Sequence, residues 1–138
     1  MSLVVDASLA IAWYFEDESN EATEGVLDRV TESGAVVPGL WRLEVANAFQ
    51  MAVRRKRIDS AYRDASLGEL ALMPITVDDE TNSYAWTTTL RLAERFSLTL
   101  YDAAYLELAQ RRSLPLATLD RDLRAAAPAL NIQLLGAD

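Results

Sequence analysis

Short apolar runs alternate along this chain with longer stretches in which apolar residues recur every three or four positions. The runs are "SLVVD" (2–6), "AVVP" (35–38), "PITV" (74–77), "LPLAT" (114–118) and "IQLL" (132–135), each of strand length. The stretches between them predict helices through "LAIAWYF" (9–15), through an acidic entry and amphipathic segment (16–33) ended by Gly34, and over 39–57. Further helices are predicted from Asp59 to 72, over 78–96, over 98–110 and over "RDLRAAA" (121–127), the last stopped near Pro128. Within 78–96, Ala85, Thr88, Thr89, Leu92, Ala93 and Phe96 fall on one side. Strands alternating with helices predict an α/β fold: a short, mainly parallel sheet of four to five strands covered by helices on both faces. With no internal repeat, low-complexity tract or linker, residues 1–138 read as a single domain.

One position breaks the pattern. In "LTLYDAAYLELAQ" (98–110), Asp102 shares a helical stripe with Tyr105, Leu106 and Ala109, so a carboxylate sits on an apolar face. In a strand–helix–strand unit the helix runs back against the strands, and its N-terminus lies at the sheet's carboxyl edge. Asp6 ends the first strand, Glu44 lies in the first turns after the second, Asp102 starts the helix leading into the fourth, and Asp120 follows that strand. All four should line the edge where open α/β sheets bind ligands. Each acid also has a purely structural use. Thr99 to Asp102 has capping-box spacing, Asp120 suits an N-cap, and Asp6 or the nearby Ser8 could cap the first helix. Glu44 fits such a use least well, because it shares its helical side with Leu40, Asn47, Ala48 and Met51 while Arg42 takes the far side. Two carboxylates about 4 Å apart repel by about 4 kcal/mol at an effective dielectric near 20, so gathered acids call for a divalent cation. Asp78, Asp79 and Glu80 also follow a strand, and the pattern does not give that strand's place in the sheet.

Composition narrows the chemistry. The chain has no histidine and no cysteine, which removes imidazole acid–base catalysis, Ser-His-Asp triads, thiol nucleophiles and the usual zinc sites. Its only lysine, Lys56, lies in the solvated run "RRKR". What remains are carboxylates, hydroxyls and arginines, a donor set suited to hard cations such as Mg2+ or Mn2+. A net charge of −8 argues against wholesale electrostatic capture of nucleic acid. Arginines nevertheless gather at 54, 55 and 57, at 111 and 112, and at 121 and 124. "RRKR" reads first as a solvated helix end and second as phosphate guidance. Trp13, Trp41 and Trp86 lie in helical segments and are assigned to core packing. The run at 9–15 is too short for a membrane span, which needs roughly 20 residues. Residues 1–8 lack the basic segment of a secretory signal, and a cytoplasmic location is the expectation.

Four segments carry a family resemblance. "VVDASLAIAW" (4–13), "LEVANAF" (43–49), "LYDAAYLELA" (100–109) and "LATLDRDL" (116–123) resemble the signature segments of PIN domains, most closely the small VapC-type toxins of bacterial toxin–antitoxin pairs. The resemblance runs in order over essentially the whole chain. It implies a PIN-like three-layer sandwich and a ribonuclease whose acidic site holds Mg2+ or Mn2+. By position, Asp6, Glu44, Asp102 and Asp120 match the family's four acids. Ser8, Asn47 and Thr118 match supporting polar positions, and Asp122 a further acid that participates less regularly. Leu123 stands where many members carry phenylalanine, a change of packing. The resemblance also implies a homodimer and a cognate VapB-like antitoxin whose tail occupies the active-site groove.

The leading expectation is therefore metal-dependent endonucleolytic cleavage of RNA, with DNA cleavage or a role in RNA processing outside a toxin pair as close alternatives. An acidic phosphoryl-receiver module is a third. It would want paired acids at the first strand and a late lysine, whereas "VVDAS" offers one acid and no lysine follows Lys56. A catalytically silent binding relative is the fourth.

Overall fold

The structure, a computed structural model, describes residues 2–137. Five short strands form one sheet: β1 (Val4–Val5), β2 (Ala35–Val37), β3 (Ile75–Val77), β4 (Leu116–Ala117) and β5 (Leu134–Leu135). All pairings are parallel and the order is β3-β2-β1-β4-β5. The helices are α1 (Ala7–Ala12), α2 (Glu21–Ser33), α3 (Trp41–Arg54), α4 (Ser60–Ala71), α5 (Thr81–Tyr84), α6 (Thr88–Phe96), α7 (Leu100–Arg112) and α8 (Arg121–Ala126), the last followed by a 3-10 turn, Ala127–Leu130.

Topology locates the site before any side chain is considered. The chain steps from β1 through β2 to β3 in one direction, then crosses to β4 and steps to β5 in the other. With the right-handed crossovers that parallel strands adopt, α1–α4 cover one face and α5–α8 the opposite one. Packing agrees: α1 lies on α3 and α3 on α4, while α7 lies on β1, β4, α6 and α8. The order reverses between β1 and β4, and the crevice beyond their carboxyl ends is where such sheets take ligands.

The centre of the sheet is buried because β1, β2 and β4 are apolar on both faces, whereas edge strand β3 exposes Thr76 and Val77. Leu3, Val4, Val5, Val37, Leu116 and Ala117 are fully enclosed. Helix α7 is buried at every position from Ala103 to Ala109, as befits a helix that is apolar almost all round. Gly34 ends α2 with φ +80°, and a Cβ there would come within 3.1 Å of the Pro74 carbonyl oxygen, so only glycine fits this turn into β2.

Three expectations change. The helix read over 78–96 is two helices, α5 and α6, separated by a turn through Ala85–Thr87. The β-branched run Thr87, Thr88, Thr89 has low helix propensity, which makes this the weak point of the segment. Trp86 lies in that turn and is 88% exposed, contrary to a core role, whereas Trp41 is buried and Trp13 half-buried. The first helix begins at Ala7 and ends at Ala12, earlier than the pattern indicated. No helix among the described residues is long and apolar enough to cross a membrane.

The acids after β3 have another use. Strand β3 is at the sheet's edge, two places from β1, and Asp78 is buried in a salt bridge with Arg111, Nη2 to Oδ2 at 2.8 Å. Arg111 also bonds buried Glu107 at 2.6 Å and exposed Glu80 at 3.2 Å, and stacks over the Tyr84 ring. This network ties α7 to the β3–α5 connection and draws Asp78 away from the other acids.

Candidate active site

Asp6 is the anchor of the site. It follows β1 directly and is 4% exposed. Its Oδ1 accepts from the Leu9 N–H at 3.0 Å, capping α1, and from the Ser8 hydroxyl at 2.7 Å. Its Oδ2 accepts from the Thr118 hydroxyl, which reaches across from the end of β4. Thr118 Oγ1 in turn accepts from the Asp120 N–H at 2.9 Å, and Ser8 Oγ from the Leu119 N–H at 3.1 Å. The cap of α1 is thus Asp6, and Ser8 is a clasp between the two halves of the crevice. Burial drives the Asp6 carboxyl up to about 6, opposed by these hydrogen bonds and reinforced by the nearby charge of Asp120.

Asp120 caps α8 by accepting from the Leu123 N–H at 2.9 Å through Oδ1 alone. The capping use and the site position therefore coexist. Glu44 extends from the first turn of α3, half-buried, and accepts from the Tyr105 hydroxyl of α7, so the two faces of the sandwich meet at the edge. Asp102 forms half of the anticipated capping box: its N–H donates to Thr99 Oγ1 at 3.1 Å, and its half-buried carboxylate meets only the Thr99 hydroxyl of the same turn. Both carboxyls are raised above the usual range, first by desolvation. The charge of Asp102 adds to the rise at Glu44, and those of Asp120 and Asp122 to the rise at Asp102. The four acids, with Asp122 beside them, form one electrostatically coupled cluster at the starts of four helices, α1, α3, α7 and α8.

Asp122 is exposed at the start of α8. Asn47 is exposed one turn beyond Glu44, with no side-chain hydrogen bond among the described residues. Tyr105 is a residue the pattern placed only in the core. It is buried, bonds Glu44 and lies close enough to both Glu44 and Asp6 for their charges to hold its phenol far above the usual range, although burial is the larger cause. Its place three residues after Asp102, where its stripe neighbours carry no polar atom, is the signal that could have marked it.

Free lone pairs remain on the acids for a hard cation. A carboxylate has roughly four acceptor sites. Asp6 retains one on Oδ2, Asp120 and Glu44 each retain a whole oxygen, and Asp102 meets only the neighbouring Thr99 hydroxyl. Among the described residues no three acids converge tightly enough to form a ready cage. An ion held here would therefore keep several of its waters and bind through one or two carboxylates, the manner open to Mg2+. The basic segments contribute little here. Arg57 pairs with Asp17 and Glu18, Arg111 is in the β3 network, and Arg124 donates to the Thr118 and Leu135 carbonyls.

The raised Asp6 gives a pH prediction with a definite sign. Its carboxyl sits near 3.8 unfolded and near 6 folded, so the folded state binds the proton more tightly. The resulting stability is complete below the unfolded value and is lost as pH rises through about 6. Metal-free protein should therefore melt at progressively lower temperature as pH climbs through this window, and Asp6→Asn should flatten that limb. An identical slope in the variant would mean that another group sets it.

The sequence and the fold were compared with known proteins. The PIN domain family model matches residues 3–128. A protein named Ribonuclease VapC3 from Pyrobaculum aerophilum is 32% identical over 130 residues, covering 94% of this chain and 98% of its own. A second protein of that name, from Mycobacterium tuberculosis, is 30% identical over 128 residues, covering 91% and 88%. Among solved structures, PAE2754 from Pyrobaculum aerophilum superposes with a TM-score of 0.70 at 25% identity, over 97% of this chain and 83% of that one. FitAcB from Neisseria gonorrhoeae does so with 0.66 at 15% identity, over 97% and 96%.

Proposed function

This chain belongs to the PIN-domain family and is of the VapC type, and from that premise we propose that it is a metal-dependent endoribonuclease, the toxin of a VapBC-type pair, working as one nuclease domain. The observation that carries the reading is the coupled acid cluster at the β1/β4 switch point, where Asp6, Glu44 and Asp102 all hold their protons more tightly than usual. Mutually repelling carboxylates with free oxygens are a site in search of positive charge. The ribonuclease names of its relatives supply the substrate class.

Asp6, Asp102 and Asp120 would hold Mg2+ or Mn2+, directly or through water, with Glu44 as a further ligand. When bound, the ion lowers the pKa of a water and stabilises charge developing on the phosphate. The chain's own groups do the positioning. Ser8 and Thr118 fix both oxygens of Asp6, so its remaining lone pair faces one direction. Tyr105 holds Glu44, whose raised affinity for protons suits it to take one from the attacking water. Asp122 adds negative charge near Asp102, and Asn47 lies one turn from Glu44 to meet the substrate. Attack of water in line with the leaving 3′-oxygen leaves a 5′-phosphate and a 3′-hydroxyl. A cognate VapB-like antitoxin, a homodimer and a cytoplasmic setting complete the proposal.

The test is purified protein on single-stranded RNA and on DNA of equal sequence, with Mn2+, Mg2+ or EDTA. RNA should be cut to 5′-phosphate products with either ion, cleavage should stop with EDTA, and Asp6→Asn should be inactive. Cleavage that survives both EDTA and the substitution would remove the acid site from the reaction. Preferential cutting of DNA would overturn the RNA assignment alone.

A further inference from the structure

Every polar group of Thr118 is engaged. Its hydroxyl donates to Asp6 and accepts from the Asp120 N–H, and its own N–H donates to the Leu135 carbonyl at 3.3 Å. Its carbonyl accepts from Arg124 Nη1 at 2.9 Å, and the same nitrogen donates to the Leu135 carbonyl at 3.0 Å. A terminal guanidinium nitrogen carries two hydrogens, so this one serves both carbonyls. Strands β4 and β5 pair only through Leu116 with Leu134 and Ala117 with Leu135, so their ladder stops just short of Thr118. A ladder this short is held weakly at its ends, and Thr118 stands at one of them with two acids depending on it. Arg124 closes that end. Behind it lies buried Gly136 at φ +101°, where a Cβ would come within 2.9 Å of Leu9 Cδ1 and 3.6 Å of the Thr118 carbonyl oxygen. The end of β5 therefore fits tightly against both α1 and Thr118.

Arg124 also leaves a nearer partner alone. It lies four residues after Asp120, the spacing at which an acid and an arginine pair along a helix, yet it forms no ion pair among the described residues. Helical side chains lean toward the N-terminus, and this one leads back to Thr118, six residues earlier. Asp120 keeps its second oxygen for a cation. An arginine in the last turn of α8 could serve the helix dipole alone, but that use requires neither strand carbonyl.

We propose that Arg124 is a positioning residue of the acid site: by bridging the ends of β4 and β5 it fixes Thr118, and through Thr118 the carboxylate of Asp6 and the entry of Asp120. The inference rests on the reading of the acids as the metal-holding site of a nuclease, and it names the group that keeps two of them in register.

Amide hydrogen exchange of the metal-free protein reads the geometry, and Mn2+ titration with steady-state cleavage reads its use. In Arg124→Ala the Thr118 and Asp120 amides should exchange about tenfold faster, while that of buried Phe49 in α3 exchanges as in the parent. The variant should bind Mn2+ about tenfold more weakly and show a kcat about tenfold lower at saturating Mn2+, with KM for RNA unchanged. Arg124→Lys, which offers both carbonyls one cationic nitrogen, should recover most of each loss. Because Arg124 acts through Thr118, adding Thr118→Val to Arg124→Ala should cost little more than the larger single loss. Should the alanine variant not fold, Arg124→Gln, shorter and uncharged, carries the same comparison. Parental exchange and parental Mn2+ affinity in the variant would overturn the positioning role and, with RNA still cut, leave the nuclease standing. Additive losses in the double variant, or faster exchange that includes Phe49, would overturn it as well. Faster exchange confined to Thr118 and Asp120, with weaker Mn2+ binding, in a protein that cuts no RNA would support the positioning role and sink the nuclease.

Discussion

Replacing Asp102 by asparagine is expected to lower the turnover of RNA by roughly 10²–10³, the scale on which a single preorganised electrostatic contact acts, while leaving the fold unchanged. Asp102 is the cleanest position for this substitution because it bonds no distant element; its N–H and carboxylate meet only Thr99 within the same turn. Asp6→Asn, by contrast, disturbs partners on α1 and β4 together. Asp102 is also held in the field of Asp120 and Asp122. Removing its charge relieves that repulsion, so metal-free Asp102→Asn should melt no lower than the parent, stability being kept where function is lost. The parent's melting temperature should rise when Mn2+ is added, and the variant's should rise less. Single-turnover cleavage and melts with and without Mn2+ read both effects. Full activity in a variant that no longer responds to Mn2+ would detach this acid from the reaction.

The largest effect on stability is expected far from the acids. Arg111→Ala leaves buried Glu107 without its counter-ion and Asp78 with only the more distant Arg112 at 3.9 Å, and breaking a buried pair by removing one partner costs about 3–5 kcal/mol. At this chain length that corresponds to a fall of roughly 10–20 °C in melting temperature. The hydrogen bonds from Arg111 hold the Asp78 carboxyl below the usual range against its burial. Its contribution is therefore present above the unfolded value and disappears as pH falls through the lowered one. Acid melts of the parent should show this loss, and the double variant Arg111→Met with Asp78→Asn should recover part of what Arg111→Ala loses. A melting temperature for Arg111→Ala within a degree or two of the parent would show the network to be dispensable.

Asp78 also marks the limit of what the residue pattern conveys. It follows a strand just as Asp6 does, and local sequence gives the two equal standing. Strand order separates them, and order is set by crossovers of tens of residues that leave no periodic trace. The partner that claims Asp78 is 33 residues away. Alternation of short apolar runs with helical stretches did convey the parallel five-stranded sheet, the end of α2 at Gly34 and the shared edge for Asp6, Glu44, Asp102 and Asp120. It conveyed neither the break at Thr87 nor the exposure of Trp86, because the apolar stripe of that segment continues on paper through a turn whose threonines disfavour helix. Capping and site roles were set against each other for Asp6 and Asp120. In the structure each carboxylate caps its helix through Oδ1, and the second oxygen is left for another partner: Thr118 at Asp6, none among the described residues at Asp120.

The bond from Thr118 to Asp6 joins residues 112 positions apart. Strand β4 must slide in beside β1, and Asp120 must follow it, before the crevice acquires its second wall. During synthesis the first strand leaves the ribosome long before the fourth exists, and contacts of such separation form late. A partly made chain therefore holds Asp6 without its clasp and without Asp120. The acid cluster is complete only once the chain has been made past residue 120 and β4 has paired with β1.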